Sequence, residues 1–105
     1  MNLFHLSSIP VHEEFCELLL PDRGVRIERI VSAGQASPAG FWYDQERDEW
    51  VALLQGQARL SWHDGRIQDL QAGDWLFIPA HERHRIEWTS KTPPCIWLAI
   101  HGDLR

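Results

Sequence analysis

The chain has 105 residues, 44% of them apolar, and a formal net charge of -5. That length holds one domain, and a domain of this size buries roughly 65% of the surface its unfolded chain exposes, so its core needs neither disulfide nor metal. The acids are dispersed and no basic stripe is present, which argues against nucleic acid or an anionic membrane surface as partner, and no apolar run reaches the ~20 residues of a membrane span.

Residues 1 to 9 read as a tail or a short edge strand. Ser8, Pro10, Glu13 and Glu14 then have the composition of a helix start, with proline in the first turn. Phe15, Leu18 and Leu19 fall on one helical face, and Pro21, Asp22 and Gly24 stop the helix near Leu20. The expectation is one short helix packed outside a sheet, so that residues 1-24 form a tail and helix and residues 25-105 a β-barrel.

From Val25 the pattern has period two, with Val25, Ile27 and Arg29 alternating with Arg26, Glu28 and Ile30. A Gly-, Ser- and Pro-rich loop follows. Trp50 to Gln55 is nearly all apolar, as in a strand covered on both sides. Ala58, Leu60 and Trp62 alternate with Gln57, Arg59 and Ser61, which marks a half-buried strand. Asp64-Gly65 is a hairpin signal, and Ile67 and Leu70 lie on the return strand. Ala72-Gly73-Asp74 turns into Trp75 to Ile78, and Pro79 ends that strand because it has no N-H to donate. His84, Ile86 and Trp88 share one face, and Cys95 to His101 is the last strand. Many short strands separated by turns every 8-12 residues or so indicate an all-β sandwich or barrel.

Cys16 and Cys95 match no metal spacing and read as buried free thiols of a reducing cytoplasm. The N-terminal MNLFHLSSIPVHEEF lacks a charged start followed by an apolar stretch, so a leader is not expected and the cytoplasm is the expected location. Most of the six tryptophans are expected in the core or a dimer interface. No Ser lies in a G-x-S-x-G setting, and no phosphate loop or dinucleotide fingerprint is present.

Two segments, GFWYDQERDEWVALLQG (Gly40 to Gly56) and GDWLFIPAHERHRIEW (Gly73 to Trp88), carry the chemistry. Glu49 with Gly56, and Gly73 with Pro79 and His84, have the spacing of the two signature motifs of the cupin superfamily. Over Val25 to His101 the chain resembles small stand-alone bacterial cupins. The resemblance implies a double-stranded β-helix, or jelly roll, and a homodimer formed through an outer sheet. It also implies a divalent metal at one barrel mouth. Where the family has a His-x-His pair, this chain has Tyr43 and Gln45, or Trp42 and Asp44 with the longer spacer. His81 stands at the family's second-motif Gly, and Trp88 at its Asn. The usual three-His, one-Glu site therefore cannot form.

A different set is conceivable from the residues present. Glu49 and His84 should face each other at the mouth, Asp44 can replace one imidazole, and His81 can close the site or hydrogen-bond behind it. Asp44, Glu49, His81 and His84 are thus the expected metal ligands, with Zn or Fe first among metals, and Tyr43 and Gln45 the expected contacts to a small-molecule ligand. Each has a plainer reading beside it, Asp44 to Glu49 as a solvated acidic turn and His81 as a surface histidine. His5, His12 and His63 read as exposed, and His101 ends the last strand in an uncertain phase. Three functions are compatible: a metal-dependent enzyme on a small polar metabolite, a non-catalytic module binding a sugar-like or anionic molecule without metal, and a filled structural barrel.

Overall fold

The computed structural model describes all 105 residues. Its eight strands are β1 (Phe15–Leu18), β2 (Arg26–Ser32), β3 (Asp48–Gln55), β4 (Gln57–Trp62), β5 (Ile67–Gln71), β6 (Trp75–Ile78), β7 (His84–Thr89) and β8 (Cys95–Gly102). They form a five-stranded sheet in the order β1-β2-β8-β3-β6 and a three-stranded sheet in the order β5-β4-β7. Every pairing is antiparallel. No helix is long and apolar enough to cross a membrane.

Alternation along the strands builds the core between the sheets. Val51 and Leu53 of β3, Leu60 and Trp62 of β4, Ile78 of β6 and Trp97 of β8 all point there and are buried. Leu53 is fully buried, and burying such a side chain contributes about 1.5–3 kcal/mol. The β3-β4 corner is tight. Gly56 has φ +92°, and a Cβ at that position would lie 2.9 Å from the Cys95 Cα. Only glycine fits both the backbone and the space.

The expected helix is absent. Phe15–Leu18 is instead an edge strand, with Phe15 opposite Val31 and Leu18 opposite Glu28. A helix confined between Pro10 and Pro21 is too short to be stable without a packed face, and Phe15, Leu18 and Leu20 are all more than half exposed. Pairing with β2 satisfies the inward-facing edge of the β1 backbone instead. The division at residue 24 therefore does not separate a helix from the barrel, because β1 belongs to the larger sheet. Before β1 the chain is held by Arg29. Its buried guanidinium donates to the carbonyl oxygens of Leu3 (3.0 Å) and His5 (2.9 Å) and pairs with Glu17.

Two further expectations are corrected. Cys16 and Cys95 are both free thiols, but only Cys95 is buried, since Cys16 lies on the edge strand. Trp88 leaves the face of His84 and Ile86. The β4–β7 register shifts so that Leu60 opposes Ile86 while Arg59 opposes Trp88. One extra residue on β7 reverses the inward phase beyond it. Thr89 is consequently buried and Trp88 half exposed.

Candidate functional site

The strand registers place charged side chains in layers at one end of the barrel. Arg26 of β2 opposes His101 of β8, which opposes Glu49 of β3. Two residues further in, Glu28, Ala99 and Val51 form the next row, and Ile30, Trp97 and Leu53 the one after. Successive rows are about 7 Å apart along an antiparallel strand. His84 opens β7 opposite Trp62 and is bridged to Tyr43 by two backbone hydrogen bonds, Tyr43 N to His84 O at 2.7 Å and His84 N to Tyr43 O at 3.2 Å.

These residues surround a cavity of about 310 Å³, lined by fifteen residues of which eight are apolar. Glu14, Glu28, Glu49, His84, His101, Tyr43, Gln45 and Arg26 are among them. A larger, shallow hollow of about 650 Å³ on the other sheet is lined by Arg59, Asp69, Asp74 and Trp88. It contains no histidine or cysteine, and its one cation, Arg59, is already paired with Asp69 at 2.6 Å. The barrel mouth is the candidate site.

Its titratable groups form a buried chain. His101 Nε2 lies 3.3 Å from Glu28 Oε1 and 3.6 Å from Glu49 Oε2, and His84 Nε2 lies 3.9 Å from Glu49 Oε1. His84 Nδ1 donates to the Glu82 carbonyl at 2.9 Å. A carbonyl only accepts, so the proton sits on Nδ1. Burial holds the ring below its ordinary pKa. Nε2 is then a bare lone pair aimed towards a carboxylate. Burial raises the Glu49 pKa, opposed by the neighbouring His101 and reinforced by Glu28. Glu14 is also raised by burial, although it accepts hydrogen bonds from Ser32 (3.4 Å) and Tyr43 (3.5 Å). Burial, with Glu14 next, pushes the Tyr43 hydroxyl up to about 12, so it stays a donor. Its ring stacks on His84 at 5.4 Å.

Of the expected ligands, Glu49 and His84 do face each other. Asp44 and His81 sit outside the cavity, on the rim. Their side chains are 51% and 66% exposed and are joined to each other, His81 Nδ1 to Asp44 Oδ1, at 2.8 Å. His81 has φ +64°, the left-handed conformation that suits the glycine of the family motif. Tyr43 and Gln45 line the cavity. The sequence reading left out Glu28 and gave His101 no phase. Alternation alone hides Glu28, because Arg26, Glu28 and Ile30 share a phase on a strand whose other phase carries the more apolar Val25, Ile27 and Val31; the pairing with β8 sets Arg26 beside His101 and Glu28 beside Ala99.

Whether the donors suit a metal can be tested on the geometry. No three His, Cys, Asp or Glu side chains converge on one point in the present rotamers. They are strung as a chain. Their types fit, however: two imidazoles with two carboxylates suit Zn or Fe. A His with its second nitrogen bonded to a backbone carbonyl is the usual support of a metal-bound imidazole. His101 Nε2 is buried without a hydrogen-bond partner. Donors about 2.1 Å from one ion lie about 3.0–3.5 Å apart, so the 3.6 Å and 3.9 Å gaps to Glu49 must close and the side chains must swing together before one ion is shared.

Comparison with known proteins identifies the family. The cupin domain profile matches residues 29–101. The chain belongs to the cupin family. A Ralstonia eutropha JMP134 protein provisionally named a mannose-6-phosphate isomerase is 44% identical, with a TM-score of 0.92 over 98% of this chain and 96% of that one. A cupin superfamily protein of Desulfitobacterium hafniense DCB-2 is 22% identical, with a TM-score of 0.76 over 91% of this chain and 83% of that one. A cupin of Methanocaldococcus jannaschii with a double-stranded β-helix fold is 14% identical, with a TM-score of 0.69 over 89% and 83%. At their identities the last two speak to the fold alone. No curated protein matches significantly.

Proposed function

We propose that this cupin binds a small molecule at the barrel mouth, anchored by a divalent metal held among Glu28, Glu49, His84 and His101. The observation that carries the reading is the buried Glu28–His101–Glu49–His84 chain, with His101 Nε2 unpartnered and His84 Nε2 presented as a lone pair. Carboxylates and imidazole lone pairs crowded away from water repel one another, and a cation among them removes that cost. A bound ion would supply a Lewis acid for a ligand oxygen. Around it, Tyr43 would donate from its hydroxyl, Gln45 would contact the ligand, and the buried walls would exclude bulk water. Zn or Fe stands first on donor type. The outer face of the larger sheet supports a homodimer: Trp75 is 59% exposed, Phe77 lies beside it on β6, and Trp50 stacks on Trp75 at 6.0 Å.

A second reading has its own support. The donors do not converge as they stand, which favours a pocket that binds its ligand without metal. Elemental analysis of the wild type, Glu49→Ala, His101→Ala and His81→Ala separates the two. About one metal per chain in the wild type and His81→Ala, lost in the other two variants, is the expected result. Loss on His81→Ala would instead return Asp44 and His81 to the ligand set. No metal in the wild type after reconstitution with Zn(II) and Fe(II) would leave the metal-free pocket as the function.

A further inference from the structure

We propose that the outer face of the smaller sheet carries a second binding site, one that takes a neutral oligosaccharide on Trp88. The site lies outside the barrel and shares no lining residue with the mouth, so it goes beyond the function proposed above. The bulge on β7 creates it. Without the extra residue Trp88 would follow His84 and Ile86 into the barrel. The shifted register instead turns it outward opposite Arg59 and sends the smaller Thr89 inside. That is the reverse of what burial alone favours, and bulges commonly re-aim a side chain at a functional surface. Trp88 is 49% exposed and borders the hollow of about 650 Å³.

The rest of the hollow supplies hydrogen-bonding groups. Asp69 of β5, Arg59 of β4 and Trp88 of β7 lie side by side in one row, and Gln71 and Gln57 form the neighbouring row. With strands about 4.8 Å apart and like-facing rows about 7 Å apart, the floor measures roughly 10 by 7 Å, enough for a short run of sugar rings. Asp69 holds the Arg59 guanidinium in place, with Nε donating to Oδ1 at 2.6 Å and Nη2 to Oδ2 at 3.2 Å. That paired arrangement leaves the other N–H groups of Arg59 and the second lone pairs of Asp69 for a ligand. The Gln57 and Gln71 side chains are exposed, and Asp74 uses Oδ2 internally, accepting from the Gln71 N–H at 2.9 Å. Fixed donors and acceptors thus stand together beside one aromatic face. Sugar hydroxyls both donate and accept, and the electron-rich indole face attracts the C–H side of a sugar ring. Charge selects a neutral molecule, because Asp69 and Asp74 oppose an anion and Arg59 opposes a cation.

Nitrogen-edited NMR on the full chain tests this with trisaccharides. Maltotriose, cellotriose and mannotriose are the neutral probes, trigalacturonate the anion and the glucosamine trimer the cation. At least one neutral probe is expected to shift the Trp88 indole N–H and the Arg59 and Asp69 amides, saturably and at millimolar concentration. Trp88→Ala should weaken that binding about fivefold or more. Arg59→Ala, an exposed substitution whose spectrum reports an intact fold, should weaken it as well. Failure of all three neutral probes to shift these signals overturns the inference, as does binding that both variants leave unchanged. Shifts confined to the mouth, at His84 and His101, would overturn it while supporting the small-molecule site proposed there. Tighter binding of trigalacturonate or the glucosamine trimer than of every neutral probe overturns it too.

Discussion

Gly56 closes the first motif and Gly73 opens the second, yet the structure assigns them different costs of substitution. Both have positive φ, +92° and +97°. An alanine at either pays the left-handed strain of about 1–2 kcal/mol. At Gly73 nothing lies within 4 Å of the new methyl, so the strain is the whole effect. At Gly56 the methyl would meet Cys95 Sγ at 2.8 Å, Cys95 Cα at 2.9 Å and Ser90 Oγ at 2.9 Å. The Cα belongs to β8 and cannot turn aside as a side chain can. Overpacking of this kind costs about 1–3 kcal/mol more. Gly56→Ala should therefore lose roughly 2–5 kcal/mol and Gly73→Ala roughly 1–2 kcal/mol. For a domain of this size each kcal/mol moves Tm by about 4–8 °C, so Gly56→Ala should melt at least 8 °C or so below wild type. Urea denaturation followed by tryptophan fluorescence, with calorimetry for Tm, measures both. Equal losses in the two variants would refute the contribution assigned to crowding against β8.

The remaining predictions concern charge and assembly. Glu14 has a folded pKa raised above its ordinary 4.5 by burial, so its protonated form favours folding. That stabilisation is complete below pH 4.5 and is lost as pH rises through the folded value, where the unfolded state binds fewer protons. Glu14→Gln should flatten this part of the Tm-versus-pH curve between pH 4 and 7, and a curve parallel to wild type would contradict the assignment. Trp75→Lys places a charge on the exposed outer face of β6. Light scattering should show the mass of one chain where wild type shows two, and an unchanged mass would remove this face from the interface.

The strands from Arg26 onward were legible either from alternation, as in β4, or from a short apolar run bounded by turn residues, as in β3. Ala58, Leu60 and Trp62 are buried as their alternation requires, and Pro79 ends β6 where its missing N–H predicts. Phe15–Leu18 was not legible, because four residues satisfy a helical face and an edge strand equally. Only the partner, Val31 to Glu28, decides between them. Trp88 was misplaced because a bulge reverses phase without a local sequence mark. Within the site, Glu49 and His84 follow from motif spacing. Glu28 and His101 depend on the β2–β8 register, a pairing across more than seventy residues that no short pattern encodes. Asp44 and His81 were near enough in sequence to suggest a shared site with Glu49 and His84, but the turns that carry them face outward.

The four residues of the buried chain each come from a different strand: Glu28 from β2, Glu49 from β3, His84 from β7 and His101 from β8. Three of these strands are in the larger sheet and one is in the smaller. No excised hairpin or half-barrel retains more than part of the set. A piece holding all four must run from β2 to β8, almost the entire fold. Binding at the mouth is therefore tied to closure of the two sheets against each other, so any occupant of the site stabilises the whole domain in proportion to its affinity. Partial opening at either sheet should release that occupant before the rest of the barrel unravels.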